Sequence, residues 1–352
     1  MRRRNIIIVV VVLAALAAVT TAWLLRRGNA PQAARLLPAA DAYLYIDLTP
    51  LRTAGLFKNP LANVDPDYAQ FVRDTGFQFE RDLDQAAFAV HLPPPSAAAN
   101  SETPPETRYS EVFVGRFDGA KLAAYLRQTA ASSKPYGKTL IYSIPLPGRT
   151  LRVAVLSKRM VASSNAESEL AIREIIDRAA ETFTGSGPDL LRRYYRHVPL
   201  ASLAWAVART ASAGQQGNAR YVLPGGFDLF FPPDTVIVAG VRYLGSVQVR
   251  ADAFTHTQED AQRISDQLNA LLAVARTAEF RAQTVDPEFK AFFDSISISQ
   301  FQDRAELNAT IPPGFVKKLV EPPIEAISAA PAPQPNAKKS TEKQRRSGRK
   351  KK

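Results

Sequence analysis

The densest charge in the chain lies in its last fifteen residues, KKSTEKQRRSGRKKK (338–352). There Lys338, Lys339, Lys343, Arg345, Arg346, Arg349, Lys350, Lys351 and Lys352 stand against Glu342 alone. Like-charged blocks of this kind stay unfolded and serve as interaction arms. The chemistry on offer is contact with a polyanion. Near an anionic membrane each Lys or Arg adds about 1 kcal/mol of attraction, and contact with nucleic acid would weaken steeply as salt rises. Outside the cytoplasm the partners expected are anionic lipids and envelope polymers, and nucleic acid becomes a partner only if the topology is inverted. A solubilising tail with no specific partner is the plain alternative.

A second cluster, RRYYRH (192–197), places Arg192, Arg193, Tyr194, Tyr195 and Arg196 together. Tyrosines between arginines can stack on a sugar, a base or a lipid headgroup. The plainer reading, which the residue pattern favours, is a helix end with inward tyrosines and solvated arginines.

Other chemistries find little support. KPYGKT (134–139) resembles a phosphate loop, but position 132 is Ser where the pattern needs Gly, and the segment runs into a strand rather than a helix. It reads as a turn before a strand. His91, His197 and His256 have no partner at a metal-ligand spacing; each reads as a boundary or surface residue. No Gly-x-Ser-x-Gly elbow occurs. Asp65/Asp67 and Asp82/Asp84 sit where Asp caps backbone groups. The chain has no cysteine, which excludes disulfides, thiolate metal sites and cysteine nucleophiles. No catalytic constellation, metal site or cofactor is expected, and the question of an enzyme is left open, leaning against one.

The elements that must position these residues follow from periodicity. DAYLYIDL (41–48) is a strand in which Tyr43, Tyr45 and Asp47 alternate with Leu44, Ile46 and Leu48. Further strands are expected at 86–92, 108–117, 200–208, 234–243 and 246–254, and in KTLIYSIPL and TLRVAVL. Asp118 is placed to cap one helix. Asn165 is placed to cap another that buries Leu170, Ile172, Ile175 and Ile176. Thr257 and Asp260 suit the start of a third. Strand hairpin, cap and amphipathic helix occur at 150–180 and again at 236–276. The expectation is α+β, with antiparallel sheets and packed amphipathic helices. The shared order admits two related halves, although residue identities between them are poor. Short spacings between strands argue against a parallel sheet, which needs long crossovers.

Charge is distributed unevenly. The net charge of the 352 residues is +12, yet the tail and the five arginines of residues 1–27 account for all of it. The middle is close to neutral, so a basic groove is not expected there. Residues 6–25 form an uncharged run bracketed by Arg2–Arg4 and Arg26–Arg27. Twenty helical residues reach about 30 Å, the thickness of the hydrocarbon core, and Trp23 lies where an indole favours the interface. The expectation is a single membrane-spanning anchor, with a cleaved signal peptide as the alternative. The basic start slightly favours an amino terminus in the cytoplasm. The organisation expected is anchor (1–27), tether (28–37), first α+β half (38–184), second half (185–321), then Ala/Pro spacer and tail (322–352). Residues 93–107 read as a mobile loop.

LLPAADAYLYIDLTPLR, VFVGRFDGAKLAAYLRQ and YGKTLIYSIP with TLRVAVLSKRMVASSN resemble uncharacterised bacterial envelope proteins that carry an amino-terminal anchor and a domain of unknown function. The shared features are the opening Leu37-Pro38-Ala39-Ala40-Asp41 and the strand-to-helix turn Gly115-Arg116-Phe117-Asp118. The resemblance covers most of 36–180 and brings no catalytic residues. It implies a single-pass protein of the bacterial inner membrane whose extracytoplasmic domain binds or scaffolds. The alternatives are an envelope hydrolase with dispersed carboxylates and a cytoplasm-facing protein whose tail binds nucleic acid.

Overall fold

The computed structural model describes residues 29–55, 65–92, 107–181, 187–210, 219–223, 227–281 and 287–314. The expected anchor, the 93–106 loop and the basic tail lie outside these residues. Among the described residues no helix is long and apolar enough to cross a membrane.

Twelve strands form one antiparallel sheet. In chain order they are β1 (Ala42–Asp47), β2 (Leu83–His91), β3 (Arg108–Gly115), β4 (Ser132–Tyr136), β5 (Thr139–Leu146), β6 (Arg149–Ser157), β7 (Met160–Ser164) and β8 (Ala204–Arg209). A separate ribbon, β9 (Ala219–Leu223) with β10 (Phe227–Phe231), follows. The sheet then continues with β11 (Val236–Tyr243), β12 (Val247–Phe254), β13 (Ser297–Phe301) and β14 (Arg304–Ile311). The spatial order is β13-β14-β12-β11-β8-β1-β2-β3-β7-β6-β5-β4. The fold is α+β with a large antiparallel sheet, as the periodicities predict. The two sides of the central β1–β8 pair share part of their wiring. On each, a hairpin (β2–β3 or β11–β12) is followed by a helix. The chain then returns by further strands, four on the β1 side and two on the β8 side, the last of which (β7 or β14) pairs with the second strand of that hairpin. The strands expected in both halves therefore belong to one continuous sheet.

Helices lie on both faces. They are α1 (Gln32–Arg35), α2 (Thr49–Thr53), α3 (Pro66–Thr75), α4 (Phe79–Asp82), α5 (Gly119–Thr129), α6 (Leu170–Ala180), α7 (Asp189–Tyr194), α8 (Gln258–Arg281) and α9 (Pro287–Ser295), with a 3-10 turn over Tyr195–His197 after α7. One face carries α1, α6 and α7, and its core includes Tyr43, Tyr45, Val112, Ile172, Ile175, Leu191, Trp205 and Val238. The other carries α5 on Tyr142, Val153 and Val161, a Phe-rich group around Phe71, Phe77 and Phe113, and Ile264 of α8 on Ala253 and Ala305. Each fully buried Ile or Leu contributes roughly 1.5–3 kcal/mol through the water it sheds.

Local expectations divide. Asp118 caps α5 by accepting from the Ala120 and Lys121 N–H groups, and Thr257 Oγ1 accepts from Asp260 N. KPYGKT is the β4–β5 turn, with Gly137 in the left-handed region. Asn165, however, does not cap α6. Its side chain accepts from Tyr109 N across the β3–β7 pair, and the helix begins only at Leu170. Leu170 is 71% exposed, while Ile172, Ile175 and Ile176 are buried. Asp82 accepts from Gln78 N as a cap would. Asp84 instead takes Arg52 (3.1 Å) and Arg159 (2.8 Å) as ion-pair partners. The stretch expected to be a tether is packed: it contains α1, and Ala33, Ala34 and Leu37 have no exposure.

Candidate functional site

The face that carries α7 also carries a cleft of about 270 Å³. Its building begins with register. β1 and β8 pair so that Tyr45 lies opposite Trp205, and alternation sends both to the same face. Their rings stack, with centroids 5.4 Å apart and planes 18° from parallel. Such pairs add about 0.5–1.5 kcal/mol beyond area burial. α7 brings in the third ring. Leu190 and Leu191 bury into the core and fix the helix on the sheet. The 3-10 turn then sets Tyr195 edge-on to Trp205, at 5.3 Å and 68°.

The rest of the wall is the loop after that turn, Val198 to Ser202, with Pro31 from the start of α1 and Asp47 from the end of β1. The loop sits tightly on the sheet because position 240 is glycine. A Cβ there would lie 2.6 Å from Pro199 Cδ and 2.7 Å from Ser202 Oγ. Ala201 occupies the left-handed region at φ 57°, a conformation that costs a non-glycine residue of order 1 kcal/mol and is held only by its surroundings. Ser202 Oγ closes the turn by donating to Pro199 O at 2.6 Å.

Among the described residues that line this cleft, Asp47 is the one that carries a charge. Its backbone N–H donates to Leu203 O at 2.7 Å, and its Oδ1 accepts from Thr49 N at 3.0 Å. Tyr45 is 6% exposed and Trp205 4%. Burial pushes the Tyr45 phenol far above its ordinary value, and the neighbouring Asp47 and Tyr195 push in the same direction. Burial likewise raises Tyr195. Both phenols therefore stay protonated at neutral pH. Neither hydroxyl hydrogen-bonds to a described residue. With no partner among the described residues and room in the cleft beside them, these oxygens are open to a ligand or to solvent.

Pro199 is shared with a second hollow of about 180 Å³, lined by Gly240, Arg242, Gln248, Arg250, Asn308 and Thr310. Here the same sheet face becomes polar. Arg250 pairs with Asp252 (3.0 Å) and Glu306 (2.8 Å), and Arg304 lies 3.5 Å from Asp252. Arg242 donates to Gln248 at 2.8 Å and has no carboxylate partner among the described residues.

The structure divides the RRYYRH cluster. Arg192, Arg193 and Arg196 are exposed, with Arg192 paired to Asp189 and Arg196 Nε 3.1 Å from His197 Nε2. Tyr194 packs on Phe254 and is structural, as the plain reading has it. Tyr195 enters the cleft. Sequence reasoning missed Tyr45, Asp47 and Trp205 as site residues. The Asp47 position two residues beyond Tyr45 on one strand face was the available signal. The nine basic residues of the tail, Lys338 to Lys352, lie outside the described residues.

A second group of reactive residue types lies elsewhere on this face. His91 Nε2 is 2.9 Å from Ser110 Oγ, which is 2.8 Å from Ser164 Oγ. His91 is thus the boundary residue expected, the last of β2, half-buried and tied to the sheet through its ring. Ser110 has no exposure and therefore cannot meet a substrate. Burial holds the His91 imidazole below its ordinary value, against the opposing pull of Asp41 and Glu174. His197 packs 4.6 Å from Phe254, and His256 is exposed. No group of three or more His, Asp or Glu that could hold a metal occurs among the described residues.

No family model matches the sequence, and no curated protein matches it. Among solved structures, crystal form III of TP0453 is similar at 10% identity and a TM-score of 0.45, covering 83% of this chain and 98% of that one. Crystal form IV of the same protein gives 10% identity and a TM-score of 0.42, covering 82% and 96%. At that distance the likeness carries no argument about role.

Proposed function

We propose that this chain is a single-pass membrane protein whose α+β domain binds a small ligand in the Tyr45–Trp205–Tyr195 cleft and performs no catalysis there. One observation carries the reading. A cleft with a carboxylate and two unpartnered phenols has Pro31 in its wall, and the uncharged run ends at Leu25. Six residues span at most about 20 Å whatever their conformation. If residues 6–25 cross the bilayer, the cleft opens within reach of the membrane surface.

The domain lies outside the cytoplasm in this reading, anchored in a bacterial inner membrane, and the basic tail reaches anionic lipids or envelope polymers. The wiring shared in part about β1 and β8, a hairpin and helix followed by strands that return to that hairpin, supports two halves of common origin. A hydrolytic pair of carboxylates would need two acids about 5–10 Å apart across the site. Among the described residues that line the cleft, Asp47 is the one carboxylate.

A reporter active only outside the cytoplasm, fused after Lys352, tests the topology. An active reporter is expected. A stable but inactive fusion would overturn this reading and make nucleic acid the partner of the tail.

A further inference from the structure

The cleft's chemistry specifies more than a place to bind, and the argument rests on the binding role proposed above. It carries one negative charge and two protonated phenols, each able to accept as well as donate. Asp47 commits only Oδ1 to the backbone, leaving Oδ2 for a ligand. The Tyr45 and Tyr195 oxygens have no partner among the described residues, and Tyr45 is more than nine-tenths buried. Among the described residues no Lys or Arg lines the cleft. An anion would meet Asp47 with nothing to offset it, so the site disfavours phosphate, sulfate and carboxylate alone.

A primary ammonium group has three N–H donors and no acceptor. The cleft offers three oxygens that can accept from it, those of Asp47, Tyr45 and Tyr195, with Tyr45 and Asp47 two positions apart on the same face of β1. The aromatic surround adds attraction for a cation through the negative faces of its rings. The volume, about 270 Å³, lies just under the usual range for drug-sized ligands and suits a small headgroup. Beyond Pro199, Arg242 offers a guanidinium without a carboxylate partner among the described residues, on the side toward which an anionic group attached to the amine would extend.

We propose that the cleft binds a primary ammonium, with Asp47, Tyr45 and Tyr195 as its three acceptors. The source favoured by position is the headgroup of an aminophospholipid at the membrane surface. Pro31 in the wall ties the site to the end of the uncharged run. Leu200, Tyr243 and Leu244 are exposed on the loop and the β11–β12 turn at the same end of the sheet. Apolar and aromatic side chains of that kind favour the bilayer interface.

The test uses the full chain, purified in a neutral detergent and an amine-free buffer. Its two tryptophans are Trp23 and Trp205, so Trp23→Phe leaves Trp205 as the sole indole reporter in the cleft wall. Ethanolamine is titrated first, with choline as the comparison. A saturable change in Trp205 fluorescence with ethanolamine is expected, at least tenfold tighter than with choline. Asp47→Asn, which keeps the side-chain oxygen that Thr49 N uses, is expected to lose tenfold or more in affinity. Tyr45→Phe and Tyr195→Phe, which keep the rings, should each lose less. Equal response to both amines, or an unchanged affinity in Asp47→Asn, would overturn the proposal. Circular dichroism of each variant separates loss of binding from loss of fold.

A second arm finds the source. Reconstitution into phosphatidylethanolamine vesicles should give the Trp205 change without added amine, and phosphatidylcholine vesicles should not. A response to free ethanolamine but to neither vesicle upholds the ammonium site, assigns it a soluble amine, and places the fault in the membrane-proximal reading. No response in either arm overturns the ammonium assignment itself, whatever the topology.

Discussion

The aromatic cleft and the His91–Ser110–Ser164 chain lie on the same face of one sheet and are both built from residue types that can do chemistry. They differ in what remains unsatisfied. In the His91 chain each oxygen or nitrogen meets the next within 2.9 Å, and Ser110 has no exposure. The cleft holds two phenols without partners among the described residues and a carboxylate with one oxygen uncommitted there, around open volume. Residue type alone would rank the histidine and serines first. Satisfaction ranks them last: a closed polar network stabilises, whereas a site must leave something for its ligand.

Substitutions can break or sharpen this contrast. The largest effect is expected from Trp205→Ala, which removes a ring 4% exposed that touches both tyrosines. Stability should fall by about 3–5 kcal/mol in chemical denaturation. A loss under about 1 kcal/mol would mean that the cleft wall is not part of the core. Gly240→Ala comes next. Its Cβ would collide with Pro199 and Ser202, costing about 1–3 kcal/mol. The displaced loop should also abolish the Trp205 response to amines. A variant as stable and responsive as the parent would show that the loop does not depend on that close approach.

Ser110→Ala is expected to cost about 1–2 kcal/mol, since it leaves His91 Nε2 and Ser164 Oγ facing a buried methyl group. It should leave amine binding unchanged. A stable Ser110→Ala variant with impaired binding would reverse the ranking of the two regions.

The pH dependence follows from the direction of the His91 shift. Its folded value lies below the ordinary 6.5, so near and below that pH the unfolded chain binds more protons. Stability attributable to His91 is present above pH 6.5 and is lost as pH falls toward the folded value. Melting temperatures between pH 8 and pH 5 should decline on the acid side, and His91→Gln should flatten that decline. An identical profile in the variant would remove His91 as the cause. The smallest stability effect belongs to Asp47→Asn, within about 0.5 kcal/mol, because the Thr49 N–H keeps an acceptor. A large loss there would recast Asp47 as a structural residue.

Much of the sheet was legible in the chain. Alternation in 41–48 and 246–254 marks β1 and β12, and in β12 Gln248, Arg250 and Asp252 do share one face. In β1, polarity would have misled about which face is inward. Tyr43 and Tyr45 are buried, while Leu44 is 42% exposed, because the tyrosine face lies under α1 and α7. Asn165 failed as a cap for a similar reason, since a cross-strand partner, Tyr109, competes for its oxygen. The repeat read at 150–180 and 236–276 found real hairpin-and-helix units. The wiring matches a different pair: β2–β3–α5 corresponds to β11–β12–α8.

The site was legible only in fragments. Tyr195 stood out between arginines. Tyr45 and Trp205 are 160 positions apart, and their meeting depends on the pairing of β1 with β8, which no local pattern encodes. The arginines that made 192–196 conspicuous turn out to be its exposed part, so the feature that drew notice and the feature that forms the cleft are different side chains. Gly240 carries no local signature either. Its role is visible only where the loop from Val198 to Ser202 descends on it.

The central claim is that the cleft opens at the membrane surface. It is tested most directly by placing the Trp23→Phe chain in vesicles and measuring quenching of Trp205 by lipids brominated at different depths. The account predicts quenching by bromines near the headgroup that fades as they move toward the bilayer centre. An emission indifferent to bromine at every depth, from a chain that remains bound to the vesicles, would contradict it.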